Sequence, residues 1–257
     1  MRNKKVIAII PARMAATRFP GKPLAMICGL PMIEHVRRRV CLCKSVDEVY
    51  VATCDEQIRE AVESFAGKVI MTSRKHVRCT DRIEEAARRL KADLIVNAQG
   101  DEPLLIPSTI DALVRPFFKD PQIKATCIIY PISKIEDLKD INTVKAVLDL
   151  KNRILYFSRS AIPNFERGIQ PLCFEQSGIM AYRKEFLHAY SRWKQTPLEK
   201  SESVDMLRII ENNCIIQGVI VKQSTVEVDI PSHVKKVEYV LKHDQIQKKY
   251  FKMITKL

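Results

Sequence analysis

Three cations and a pair of carboxylate positions carry the chemistry that can be read first from this chain. Arg13, Arg18 and Lys22 lie within residues 10–24, IPARMAATRFPGKPL, directly after the apolar run 6–10. Pro11, Pro20, Gly21 and Pro23 stop a strand there and postpone any helix until about Pro31. A strand that opens into a stiff cationic loop can hold a polyphosphate at the carboxyl end of a sheet. Arginine brings forked donors that match phosphate oxygens, and lysine a mobile point charge. The same composition also describes a solvated basic loop.

The acidic counterpart is residues 96–103, VNAQGDEP, where a strand ends in a glycine turn carrying Asp101 and Glu102. Adjacent acids repel, so a strand end is an odd place for them without a cation. Hard oxygen ligands on a turn suit Mg²⁺ bound jointly with phosphates, although a helix-capping acid fits as well. Asp229, in VEVDIP at 226–231, reads by itself as an early N-cap and gains interest only beside Asp101. A polar loop through Thr72 and His76 feeds a helix for which Thr80 or Asp81 is a natural cap. Arg82 in that first turn needs an anion or a carboxylate to answer it, because it opposes the helix dipole. His76 alone reads as a surface residue. No Ser/His/Asp or Cys/His arrangement is visible, so covalent catalysis is not indicated.

The elements that must position these residues alternate. Strand patterns at 5–10, 48–52, 68–71 and 94–97 interleave with helical spacing at 31–40, 56–65, 81–90 and 108–118, the last capped near Ser108. This rhythm predicts an α/β protein with a doubly wound, mostly parallel sheet and ligands at the carboxyl ends of the strands. The second half is more mixed. Strands are expected at 125–129, 143–148, 154–157, 178–182 and 215–221, and helices at 184–193, 204–211 and from His233 onward. No Gly/Ser linker, repeat or low-complexity tract divides the chain, which reads as a single domain over 1–257 with an inserted lobe around 130–180.

Composition narrows the classes. The 257 residues include 46% hydrophobic positions, enough for a substantial core. No apolar run is long enough for a membrane span, and the five-residue apolar stretch after the N-terminus is too short for a signal-peptide core. The cytoplasm is the expected compartment. The eight cysteines contain no C-x-x-C pair and are expected to be reduced and mostly structural. The net charge of +13 is compatible with nucleic acid, an anionic membrane face or acidic small substrates. With one Trp and no aromatic–basic interleaving, nucleic acid has only basicity behind it, and neither nucleic acid nor a membrane is expected as a partner.

Several ordered segments together make the chain similar to a known family. They are the 10–24 loop, Pro31-Met32-Ile33, Val51-Ala52-Thr53, Met71-Thr72-Ser73, Thr80-Asp81-Arg82 and the 96–103 turn; further on come Tyr156 to Ser160, Ile162-Pro163, Gly178 to Arg183 and Glu202-Ser203. In these the chain resembles the 3-deoxy-D-manno-octulosonate cytidylyltransferases over about residues 5–242. The resemblance implies a nucleotide-diphospho-sugar transferase-like α/β sheet with a smaller dimerising lobe, and hence a homodimer. It implies that CTP and a 2-keto-3-deoxy sugar acid give a CMP-sugar and pyrophosphate with Mg²⁺, by direct in-line attack. It implies that Arg13 and Lys22 hold the triphosphate within a nucleotide site of Pro11, Ala12, Arg18, Thr72, Thr80, Arg82 and Gln99. Asp101 and Asp229 would hold the metal, so that Lys22, Arg13, Asp101 and Asp229 form the catalytic set. Gln99, Arg159, Gln176, Tyr182, Glu202 and Asp205 would face the sugar acid.

The chain also departs from the family's usual residues. Gln176-Ser177 stands where a His usually precedes the strand, and Asp205-Met206 where Glu-Gln is usual. Arg78-Cys79 replaces Ser-Gly before Thr80, and Cys54 replaces an Asp. Met206 removes polar readout where discrimination between sugar hydroxyls is large. The competing expectations are therefore the same chemistry on another ulosonic acid or a phosphonate, and a catalytically silent nucleotide-binding homologue.

Overall fold

The computed structural model describes residues 4–15, 17–76, 78–164, 172–222 and 226–257. The chain forms two compact units, Met1–Asp111 with Thr225–Leu257, and Ala112–Ser224. The first opens with β1 (Val6–Pro11), a 3-10 turn (Lys22–Leu24), β2 (Met26–Ile27), β3 (Leu30–Pro31) and α1 (Met32–Cys41). It continues with β4 (Glu48–Thr53), α2 (Glu56–Glu63), β5 (Lys68–Met71), α3 (Cys79–Arg88), β6 (Leu94–Asn97) and α4 (Pro107–Val114), along which the boundary falls. The second unit holds α5 (Pro116–Lys119), β7 (Ala125–Pro131), α6 (Ile135–Lys139), β8 (Lys145–Leu148), β9 (Ile154–Ser158) and β10 (Phe174–Arg183). It ends with α7 (Lys184–Ser191), α8 (Pro197–Glu202), α9 (Leu207–Glu211) and β11 (Ile216–Ile220), after which α10 (Ser232–His243) and α11 (Gln245–Ile254) return to the first.

The first unit has the expected α/β core, four parallel strands in the order β6-β1-β4-β5. β1 lies inside, and its residues Val6 to Ile10 are at most 1% exposed. That is why it reads as an uninterrupted apolar run rather than an alternating one. The second unit is mixed: β11 runs parallel to β7, while β7–β10, β10–β8 and β8–β9 are antiparallel. It is wider than a lobe at 130–180, because pairing of β11 with β7 gathers 112–224 into one body.

Several boundaries differ from the expected ones for local reasons. The helix expected over 108–118 begins at Pro107 rather than being capped by Ser108. It ends at Val114, and a separate turn starts at Pro116, which has no N–H to continue it. α3 begins at Cys79, which puts Thr80 and Asp81 inside the first turn instead of at the cap. The last helix is two, because the Asp244 side chain accepts from the Gln247 amide and starts α11. α8 was not expected, although Thr196-Pro197-Leu198-Glu199 has the spacing of a capping box with proline at N1. The Glu199 carboxylate accepts from the Thr196 amide at 3.2 Å. Among the described residues no helix is long and apolar enough to cross a membrane, and all eight cysteines are free thiols.

The returning C-terminal segment is anchored by a core of Ile27, Met32, Leu104, Val228, Val237 and Leu241, each at most 2% exposed. The amide of Val228 donates to the Asp101 carbonyl at 2.9 Å. Beside this core, α1 carries His35, which is fully buried, shares a 2.8 Å hydrogen bond with the Ile27 carbonyl and stacks on Phe251. Burial pushes the His35 pKa from 6.5 down to about 4. The folded chain therefore keeps His35 neutral in a range where the unfolded chain protonates it. Its contribution is fully present above pH 6.5 and is lost as pH falls toward 4. Urea denaturation should show up to about 3 kcal/mol of pH-dependent loss across that window, and His35→Gln should flatten the dependence.

Candidate active site

The loop after β1 is built so that its cations stay close to the strand end. The Asp55 carboxylate accepts from the Met14 amide at 2.8 Å, and Gly21 donates to the Met14 carbonyl at 3.0 Å. Gly21 sits at φ +75°, the left-handed region in which a Cβ is strained, and there it starts the turn carrying Lys22. The turn after β6 is held equally close. A Cβ on Gly100 would lie 2.8 Å from the Pro11 carbonyl oxygen, so only glycine lets Gln99 and Asp101 approach this strand end.

These segments line one cavity of about 350 Å³ in the first unit. Of the sequence-predicted residues, Pro11, Ala12, Arg13, Arg18 and Lys22 line it from the first loop, and Arg82, Gln99, Asp101 and Asp229 complete it. The Lys22 ammonium lies 2.7 Å from Asp101 and 3.5 Å from Asp229, whose other oxygen meets Arg18 at 3.1 Å. Asp229 is therefore not a helix cap: α10 starts at Ser232, and the Asp229 carboxylate faces the cations. Two carboxylates sharing one cation are the donor set that Mg²⁺ takes from a protein when phosphates supply the remaining oxygens. Among the described residues no cluster of three or more His, Cys, Asp or Glu side chains offers a fuller set.

Thr72 and Thr80 do not line the cavity but are buried behind it. The Thr72 hydroxyl accepts from Arg82, which is 3% exposed. Within the protein, Arg82 is thus answered by a hydroxyl. Among the lining residues not expected from sequence are His76 and Arg78. His76 is held by Glu85 at 2.5 Å, and Arg78 adds a further cation. Backbone and His76 hydrogen bonds keep the Glu85 carboxyl below its usual pKa despite partial burial. Cys79, at the start of α3, accepts from the Gln99 amide at 3.9 Å.

The remaining predicted residues belong to the second unit. Glu202 accepts from Ser158 at 2.8 Å and from the Arg159 amide at 2.8 Å, and the Arg159 guanidinium donates to the Glu202 carbonyl at 2.8 Å. Gln176 donates to the Met206 sulfur at 3.9 Å, and its buried oxygen has no hydrogen-bond partner among the described residues. Tyr182 is 1% exposed, with its hydroxyl 3.1 Å from the Met180 sulfur. Asp205 accepts the Tyr190 hydroxyl on its carbonyl at 2.8 Å.

A parallel sheet with cations and paired carboxylates at its carboxyl edge defines a nucleotidyltransferase, and the family model described as Cytidylyltransferase matches residues 7–224. A 3-deoxy-manno-octulosonate cytidylyltransferase of Geobacter metallireducens is 43% identical over 253 residues, covering 94% of this chain and all of that protein. The Myxococcus xanthus protein of the same name is 42% identical, covering 94% of this chain and 98% of its own. A solved CMP:2-keto-3-deoxy-manno-octonic acid synthetase complexed with CTP superposes with a TM-score of 0.90 at 35% identity, covering 93% of this chain and 99% of that one. A 4-diphosphocytidyl-2C-methyl-D-erythritol synthase from Anaerococcus prevotii, at 15% identity and TM-score 0.64 over 93% of this chain and 99% of its own, shares the fold. The chain belongs to the 3-deoxy-manno-octulosonate cytidylyltransferase family and is an enzyme of the nucleotidyltransferase class.

Gly100→Ala should displace the Gln99–Asp101 turn from Pro11, because backbone rather than a flexible side chain opposes the new methyl. Thermal denaturation should report about 1–3 kcal/mol of lost stability, and calorimetry a weakened affinity for CTP.

Proposed function

We propose that this enzyme joins CTP to 3-deoxy-D-manno-octulosonate, releasing pyrophosphate and forming the CMP-sugar. The observation that carries this reading is the convergence of Arg13, Lys22, Asp101 and Asp229 on one cavity. The sugar's anomeric hydroxyl attacks the α-phosphorus in line, and pyrophosphate leaves. Most of the work is positioning and charge neutralisation. Arg13 and Lys22 stabilise the charge that develops on the departing pyrophosphate. Asp101 and Asp229 would hold Mg²⁺, which when bound would polarise the α-phosphate and ease deprotonation of the attacking hydroxyl. Thr72 and the 80–82 segment lie toward the cytosine, where the buried guanidinium of Arg82 offers donors to base acceptors. Gln99, Arg159, Gln176, Tyr182, Glu202 and Asp205 serve the acceptor.

The enzyme acts as a homodimer in the cytoplasm. Exposed Leu155 and Leu172 of the second unit, 54% and 78% accessible, supply apolar surface for a second copy. A second reading keeps the chemistry and changes the acid. It is favoured by Gln176, whose amide meets a thioether and whose oxygen is unpartnered among the described residues.

Pyrophosphate release with CTP and Mg²⁺ against 3-deoxy-D-manno-octulosonate, its 8-amino analogue, sialic acid and simple phosphonates separates the two readings. Saturable turnover with the first acid supports the proposal, and turnover only with another acid replaces it by the second reading. Asp101→Asn and Asp229→Asn should each lower kcat by about a hundredfold or more. CTP binding measured without divalent ions should change far less, and chelation of the wild type should abolish turnover.

A further inference from the structure

Lys145 is a buried ion that the mechanism above does not use. Its side chain is fully inaccessible, and its ammonium donates to the carbonyls of Asp140 at 2.8 Å, Thr143 at 2.6 Å and Arg159. All three N–H donors are spent on backbone. No carboxylate forms an ion pair with it among the described residues. Burial pushes its pKa below the usual lysine value. Its direct partners are neutral carbonyls, and the nearby carboxylates of Asp140 and Glu202 do not outweigh its burial, so it is an expensive way to fill space: an apolar side chain of similar length avoids the desolvation.

What the ammonium gathers is specific. Its first two acceptors belong to the 140–143 turn, and the third is the carbonyl of Arg159. The guanidinium of Arg159 in turn donates to the Ile141 carbonyl of that turn at 3.0 Å and to the Glu202 carbonyl at 2.8 Å. The Arg159 amide is held by the Glu202 carboxylate at 2.8 Å. Arg159 is thus fixed at its amide, its carbonyl and one edge of its side chain. Its Nη2 group has no partner among the described residues. The guanidinium donates only to neutral carbonyls, and the Glu202 carboxylate acts on its charge from nearby without a direct ion pair.

We propose that Lys145 is a positioning residue for the acceptor's carboxylate. One ammonium pins both the turn on which the Arg159 guanidinium rests and the Arg159 backbone, and so presents the uncommitted edge of Arg159 to an anionic sugar. This rests on the reading of Arg159 as acceptor-facing. Without Lys145, three buried carbonyls lose their donor and Arg159 must find its orientation on each binding event.

The test is steady-state kinetics of the full chain with CTP, Mg²⁺ and 3-deoxy-D-manno-octulosonate, for the wild type, Lys145→Met, Arg159→Ala and the double variant. Lys145→Met should raise the KM for the sugar acid about tenfold while leaving kcat and the KM for CTP within about twofold. The double variant should be no worse than Arg159→Ala alone, since both changes remove one function. Lys145→Arg should not rescue, because a planar fork cannot converge on three carbonyls as an ammonium does. Additive effects, or an equal rise in the KM for CTP, would overturn the proposal. If Arg159→Ala raises the acceptor KM and Lys145→Met does not, the role of Lys145 falls while Arg159 stands. If Arg159→Ala has no effect, the acceptor reading of Arg159 falls first and takes the proposal with it. Should Lys145→Met not fold, amide exchange in the wild type decides. The acceptor should slow exchange at 140–145 together with 158–160, and protection of 158–160 alone would refute the coupling.

Discussion

One shared ion makes the close approach of two carboxylates in the first unit tolerable. Lys22 bonds to carboxylates 79 and 207 residues away in the chain, Asp101 and Asp229. Two carboxylates brought this close repel unless a cation stands between them. The chain pulls them together with apolar burial and a backbone hydrogen bond, neither of which depends on charge. The core of Ile27, Met32, Leu104, Val228, Val237 and Leu241 packs the returning segment against the region around β2. The Val228–Asp101 backbone bond then sets its register against the turn after β6. A hydrophobic interaction thus supplies the force, and the carboxylates are positioned by it.

The same division of labour runs through the cations. Those lining the cavity differ in exposure and therefore in what they can do. Arg13 and Arg18 are exposed, although Arg18 is engaged by Asp229 at 3.1 Å. Arg82 is buried on a hydroxyl, where a fixed donor set can discriminate a base. Arg39 of α1 is buried as well, but far from such use: its Nη1 donates to the Leu105 carbonyl at 3.1 Å, and burial lowers its pKa to about 10. Net basicity is therefore a poor guide to this protein, since the positive residues serve recognition, packing and solvation in different places.

The second unit is organised by polar groups removed from water. Arg208 grips Glu199 with two bonds of 2.7 Å, both side chains being under a tenth exposed, and so ties α9 to α8. Such a pair contributes less to net stability than to uniqueness, because desolvation offsets most of its Coulombic gain. Glu202, at the end of α8, collects Ser158 and the Arg159 amide from the region of β9. Fully bonded networks of this kind rigidify the side chains they contain.

Local physics in the sequence determined the alternation of strands and helices in the first half, because buried parallel strands read as apolar runs and amphipathic helices as 3.6-residue spacing. β5 and β6 stand at the residues expected for them. The loop of Arg13, Arg18 and Lys22 and the acidic turn at Asp101 were legible because proline, glycine and charge after a strand leave few other conformations. Tertiary structure alone decided the rest. Asp229 looks like a cap until Val228 docks beside Asp101. His76 looks like a surface residue until Glu85 turns it to the cavity. Lys145 falls within the strand expected at 143–148, and only the folded chain brings three carbonyls onto its ammonium. For Asp229 the partners are distant in sequence, for His76 the partner lies on the next helix, and for Lys145 they are backbone, where a carbonyl has the same chemistry whatever residue carries it.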